Sequence, residues 1–258
     1  MNCKDIMKRI EEAFPPQAAC SWDNVGMLAG RMEKEVKKVY LALDATDEVV
    51  RQAIEAGADL LVTHHPLIFS PLKNVTDGHF IGRRLVTLIQ SDISYYAMHT
   101  NYDVMRMASL AAEKLGLQNI RVLKESPQME NKGIGAVGGL AKAMTLRECC
   151  DLVKETFSLP SVKLFGDPEE MVSCAAVVPG SGKGETQDAL LKGAEVLITG
   201  DIDHHEGIDA VAQGISIIDA GHYGLEHIFI EDMKHFFNAK CPEIVVETAP
   251  IRHPFQMI

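Results

Sequence analysis

No stretch of this sequence approaches the roughly 18 consecutive apolar residues that a membrane-spanning helix needs, so a membrane partner is not expected. No two of the six cysteines have the CxxC spacing of a zinc site, and Cys149 and Cys150 are adjacent. A disulfide framework is therefore not expected, and a reducing cytoplasm is the expected location. Basic residues are in deficit: 25 Lys and Arg against 36 Asp and Glu leave a formal charge of −11. A protein that binds nucleic acid through its phosphates needs a basic face, so nucleic acid is not an expected partner. A small anionic substrate held at a cation remains compatible with this balance. Low-complexity tracts are also missing, and 47% of the residues are apolar, enough to bury a core.

The opening segment "MNCKDIMKRIEEAF" reads as an amphipathic helix rather than a targeting segment, because Ile6, Met7, Ile10 and Phe14 recur at helical spacing between charges. "KVYLALDATDEVVRQAIEAGADLLVTHH" then reads as strand, helix, strand. Thr46 is placed to cap the helix, Val49, Val50, Ala53 and Ile54 form its apolar stripe, and Gly57 is placed to end it. Such a βαβ unit implies parallel pairing. The pattern recurs: "GADLLVT" at 57–63 matches "GAEVLIT" at 193–199, and "ISYYAMH" at 93–99 resembles "ISIIDAGH" at 215–222. The second copy is shorter between these points. The expected fold is α/β, with two related α/β lobes from an internal duplication and mixed or parallel sheets flanked by helices. The polar stretch "KESPQMENKG" suggests a boundary, giving lobes 1–125 and 126–258. Beyond it, the glycines of "GIGAVGGL" suggest a turn or a close backbone contact, and Thr145 with Glu148 has the spacing of a capping box.

"DLLVTHHPLIF" at 59–69 places two histidines at the end of an apolar run. Neighbouring side chains of a strand point to opposite faces, so a continued strand would keep His64 and His65 apart. Pro66 argues against continuation, because a central strand does not tolerate proline. The strand is expected to end around Thr63, leaving both rings on the following turn. That is also the end of a parallel sheet where ligands bind. "AMHTNYD" brings His99 and Asp103 to another strand end, and "DAGHYGLEHIF" brings His222 and Glu226, four residues apart on an expected helix. Three imidazoles and two carboxylates at strand ends, namely His64, His65, Asp103, His222 and Glu226, suit Zn, Fe or Mn, and carboxylates can bridge two ions. His99 is a candidate to orient a ligand or a water. "VVPGSGKGE" fails the phosphate-loop pattern, since Val177 stands where that pattern needs glycine. Backbone N–H groups around Ser181 and Gly182 remain candidates for touching an anionic substrate. His204 and His205 are expected on the helix or lead-in that follows the second-copy strand, and His79, His227, His235 and His253 on surfaces or helix faces.

The motifs "WDNVGMLAG", "VTHHPLIF", "HTNYD" and "GHYGLE", in this order from Trp22 to Glu226, resemble the Nif-three-like family of dinuclear-metal proteins, which carry the name GTP cyclohydrolase 1 type 2 homologues. The resemblance implies two divalent transition-metal ions per subunit, held by His64, His65, Asp103, His222 and Glu226. It also implies a two-lobed α/β subunit and a toroidal homohexamer. The activity it suggests is metal-dependent hydrolysis of a small anionic or nucleotide-like substrate, with phosphoester hydrolysis a variant using the same metals. A non-catalytic metal-binding chaperone, store or scaffold is the alternative. Asp23 and Asn24 belong to the first motif and are read as shaping an N-terminal turn.

Overall fold

A computed structural model describes residues 1–256 of the chain. The chain forms two compact units, one of Met1–Met105 with Phe229–Arg252 and one of Arg106–Ile228 with the tail from His253.

The first unit opens with α1 (Cys3–Ala13), capped reciprocally by Asn2 and Asp5, and buries Ile6 and Ile10. Strands β1 (Gly26–Ala29), β2 (Lys38–Ala42), β3 (Leu60–Thr63) and β4 (Ser94–Ala97) follow. Between β2 and β3 runs α2 (Asp47–Glu55), where Thr46 accepts from Val49 N as expected. Val50 and Ala53 are buried under it, but Ile54 is exposed, so the apolar stripe is narrower than its periodicity implied. Gly57 takes φ +66° just beyond the helix, a conformation that costs glycine little. A long loop and α3 (Phe80–Gln90) connect β3 to β4. β2, β3 and β4 are parallel neighbours, and β1 runs antiparallel to β4. After β4 comes the single turn α4 (Thr100–Tyr102).

The second unit contains α5 (Ala108–Lys114), β5 (Gln118–Glu125), β6 (Gly133–Thr145), α6 (Leu146–Phe157), β7 (Lys163–Phe165), β8 (Met171–Ser181), α7 (Thr186–Leu191), β9 (Val196–Gly200), α8 (His204–Ala212), β10 (Ser216–Asp219) and α9 (His222–Glu226). Its sheet runs β5-β6-β8-β9-β10-β7, with β8, β9 and β10 parallel and β7 antiparallel to β10. The duplication is visible in register. Leu41 lies opposite Val62 in the first sheet, and their repeat counterparts Val177 and Ile198 lie opposite each other in the second. Most of the length difference sits in one place: residues 64–79 separate β3 from α3, whereas only 201–203 separate β9 from α8.

The expected boundary at 125/126 does not coincide with the division into units. β5 and β6 pair antiparallel with Glu125 opposite Gly133, so the polar stretch around Pro127 turns a hairpin and does not link two lobes. The glycine-rich "GIGAVGGL" lies in β6 and is the close backbone contact rather than a turn: a Cβ on Gly133 would come 2.0 Å from the Lys124 carbonyl. After α9 the chain forms α10 (Ile228–Lys240) and returns to the first unit, where β11 (Val245–Thr248) pairs parallel with β2. Among the described residues no helix is long and apolar enough to cross a membrane.

Candidate metal centre

β3 ends at Thr63, as Pro66 implied, and the turn that follows is pinned. The hydroxyls of Thr63 and Tyr95 reach the His65 carbonyl at 2.8 and 3.1 Å, and His65 N donates to the Leu43 carbonyl at 2.9 Å. Burial pushes the Tyr95 phenol up to about 12, so it stays a donor. Both imidazoles therefore swing to one side, with ring centroids 4.8 Å apart. His99, just after β4, joins them, and one ligand nitrogen from each of His64, His65 and His99 lies within 4.8 Å of the others.

Each ring has its orientation set from behind. His64 Nδ1 faces the Met98 carbonyl at 2.9 Å, His65 Nδ1 faces Asp44 at 2.8 Å, and His99 Nδ1 faces Asp23 at 2.9 Å. A carbonyl or ionised carboxylate can only accept, so each Nδ1 carries the proton and each Nε2 presents a lone pair. Asp103 opens a wide π-type turn at Asp103–Met107, and its Oδ1 lies 3.5 Å from His64 Nε2. Such turns recur at functional positions.

The Asp23 side chain is fully buried. Burial alone would raise its pKa. The hydrogen bonds from His99 Nδ1 and from Thr100 N and Oγ1 outweigh that and hold it at about 2. The motif acid thus shapes its turn by gripping Thr100 and also orients His99.

In the second unit, His222 starts α9 and Glu226 follows one turn later, with Nε2 and Oε2 3.0 Å apart. His222 Nδ1 faces Asp201 Oδ2 at 2.7 Å, repeating the arrangement of the first unit. Asp201 takes φ +57°, a left-handed conformation that Asp tolerates better than most residues and that is concentrated at functional positions. Gly180, at φ +82°, makes room for the carboxylate: a Cβ there would lie 2.4 Å from Glu226 Oε1. A cleft of about 300 Å³ opens beside His222, lined by Val162, Lys163, Asp201, Tyr223 and Phe255 among others. That is the lower end of the size range of small-molecule sites.

The remaining candidates separate clearly. Gly182 N donates to the Gly200 carbonyl at 3.1 Å, so that amide is not available to an anion, contrary to the expectation from the glycine-rich loop. Ser181 ends β8 and is exposed. His204 and His205 are exposed on the first turn of α8, as the displaced repeat implied. His227, expected on a surface or a helix face, follows α9 directly and is buried, held by the Phe157 carbonyl at 2.9 Å. Sequence reasoning overlooked Asp44 and Asp201. The available signal was an acid just past the end of an apolar strand, after β2 in one lobe and after β9 in the other, at positions that are not equivalent in the repeat.

These donors suit a metal ion. Imidazole nitrogens beside carboxylate oxygens bind Zn, Fe and Mn, and an acceptor behind each ring is the usual support of a metal-binding histidine. Gly180 provides a cradle that any Cβ would fill, and the Glu226 carboxyl it accommodates is buried, an arrangement that favours pairing with a cation.

The chain is similar to known proteins along its whole length. The chain is 35% identical to the GTP cyclohydrolase 1 type 2 homolog of Clostridium perfringens, with all of both chains covered. It superposes with TM-score 0.92 and 31% identity on the crystal structure of a Staphylococcus aureus hypothetical protein, covering 100% of this chain and 99% of that one. Reduced HcgD from Methanocaldococcus jannaschii matches with TM-score 0.82 and 29% identity over 96% of this chain and 97% of that one. The family model for Duf34/NIF3 (NGG1p interacting factor 3) matches residues 1–254. From strand ends and oriented imidazoles to these relatives, the observations converge: the chain belongs to the Duf34/NIF3 family.

Proposed function

We propose that His64, His65, Asp103, His222 and Glu226 hold two divalent transition-metal ions, and that the protein is a metal-dependent hydrolase acting on a nucleotide-like substrate. The observation that carries this reading is the repeated support of the imidazoles. His64, His65, His99 and His222 each have Nδ1 on an oxygen acceptor, which leaves Nε2 to serve as ligand or base. Bound there, the ions would supply Lewis acidity and a nucleophile at neutral pH. The protein's own residues do the rest. Asp44 and Asp201 fix the planes of His65 and His222. Asp23 fixes His99, whose Nε2 accepts the proton released during attack. Ser181 is exposed at the end of β8 and contacts the anionic part of the substrate, whereas Gly182 has no part because its N–H is engaged.

The nucleotide preference rests on the name that the relatives carry, GTP cyclohydrolase 1 type 2 homolog. The test is elemental analysis together with hydrolysis of a nucleotide panel by protein reconstituted with Mn, Fe or Zn. Metal retained without turnover of any member would return the reading to a metal chaperone, store or scaffold. A homohexamer is part of the proposal, and light scattering that reports a monomer would contradict it. Net charge does not oppose assembly, since it governs solubility more than contacts.

A further inference from the structure

Two large aromatic side chains stand exposed beside the histidine cluster of the first unit, Trp22 at 59% and Phe69 at 53%. Their ring centroids are 5.7 Å apart, and His99 lies 5.9 Å from Trp22 and 6.3 Å from Phe69. Neither ring is placed there by core packing. Each stands on a segment tied down by polar contacts. Cys20 N donates to Thr100 Oγ1 at 2.8 Å, Asp23 accepts from Thr100, and Asn24 Nδ2 donates to the Ile68 carbonyl at 2.6 Å. The last bond links the backbone neighbourhoods of the two aromatics directly. An indole more than half exposed contributes little to folding, because much of its apolar surface is not removed from water. The backbone that carries it is already tied down, so binding a ligand there need not order the segment.

We infer that Trp22 and Phe69 form a stacking platform for a planar heteroaromatic ring of the substrate, placed so that the ring lies beside His99. This rests on the proposed hydrolytic reading for the nature of the substrate, but its geometry belongs to the first unit alone. The 5.7 Å spacing and the 47° tilt between the rings leave no slot between them, so a ligand ring stacks on the outer face of Trp22 with Phe69 as a side wall. Stacking of this kind tolerates different bases, since every base has a π-face. The platform therefore holds and orients the ring while discrimination comes from polar groups elsewhere. Trp22 and Phe69 are positioning residues.

The chain has a single tryptophan, so tryptophan emission, excited selectively over the tyrosines, reports on this position alone. Assembled, metal-loaded protein is titrated with guanosine and with adenosine, using ribose 5-phosphate as the ring-free control. Saturable quenching by the nucleosides and none by the control is expected. Phe69→Ala keeps the reporter and is expected to weaken nucleoside binding severalfold. Trp22→Ala, followed by calorimetry, is expected to weaken it about tenfold, with partial recovery in Trp22→Tyr. Metal content in all three variants is expected to match the wild type. Emission unmoved by either nucleoside, or calorimetric affinity unchanged in Trp22→Ala, overturns the platform, including the case in which a second copy of the chain covers it. Loss of the hydrolase reading is separate: it shows as absent turnover or absent metal while Trp22 still quenches.

Discussion

Asp59 and Glu195, equivalent positions of the repeat, grip the strand beside them in the same way. Asp59 Oδ2 accepts from Lys37 N and Lys38 N at 2.8 and 3.1 Å, and Glu195 Oε2 accepts from Ser173 N and Cys174 N at 2.6 and 3.0 Å. Each carboxylate secures the start of the first parallel strand of its lobe, β2 or β8.

Both acids have pKa values below the usual carboxylate range. For Asp59, burial pushes upward, but the two amides and the charge of Lys34 prevail; for Glu195, the amide of Ser173 is the largest cause. A folded pKa below the unfolded one means stabilisation that is complete above the ordinary carboxylate range and lost as pH falls through the folded value. Asp59→Asn and Glu195→Gln are each expected to cost about 1 kcal/mol at neutral pH, less than a fully buried charged hydrogen bond because both acids touch solvent. Urea titrations at neutral pH and below the folded values check this. A gap between variant and wild type that persists undiminished in acid would contradict it.

Asp103→Ala is expected to remove most of the bound metal, measured by elemental analysis, from a wild-type content of about two ions per subunit. The double variant His204→Ala/His205→Ala is expected to keep nearly all of it, because those rings sit exposed on α8. Equal losses in the two would show that the second histidine pair also ligates.

Asp44→Ala and Asp201→Ala leave every proposed ligand in place but free the rings of His65 and His222. Loss of an orienting partner typically costs about 10–100-fold in metal affinity. Competition with a chelator would read it, and unchanged affinity would mean that the rings are fixed by other contacts.

Gly180→Ala should act through both space and backbone. Its Cβ would lie 2.4 Å from Glu226 Oε1, and φ is +82°. A destabilisation above about 1 kcal/mol is expected from the backbone alone, seen as a lower thermal midpoint, with reduced metal content from the displaced carboxylate. A variant with the wild-type midpoint and full metal would refute the cradle.

Much of this was readable because the parallel strands are buried on both faces. "YLAL", "LLVT" and "VLIT" are unbroken apolar runs, and Thr46, Gly57 and Thr145 mark helix ends by local hydrogen bonding that needs no tertiary context. The proposed ligands stand out in the sequence because strand ends collect function. What escaped depends on distant partners. Residues 118–125 are mostly exposed and pair with β6, so their strand character comes from a neighbour, and the polar turn after them looks the same as a linker. Asp44 and Asp201 could not be assigned a role until His65 and His222 were placed beside them. His227 looks like one more surface histidine until α6 brings the Phe157 carbonyl to it.

The return of β11 has a consequence for synthesis on the ribosome. All six strands of the second sheet come from one uninterrupted stretch, Gln118 to Asp219. The first sheet begins earlier but keeps β2 as a bare edge until Val245–Thr248 emerges to pair with Lys38–Leu41. The lobe translated first is thus the one completed last. Through most of elongation its edge offers unpaired amides and carbonyls to any passing strand. A nascent chain halted before Val245 would display that edge indefinitely, so strands of neighbouring nascent chains should engage the N-terminal lobe rather than the C-terminal one.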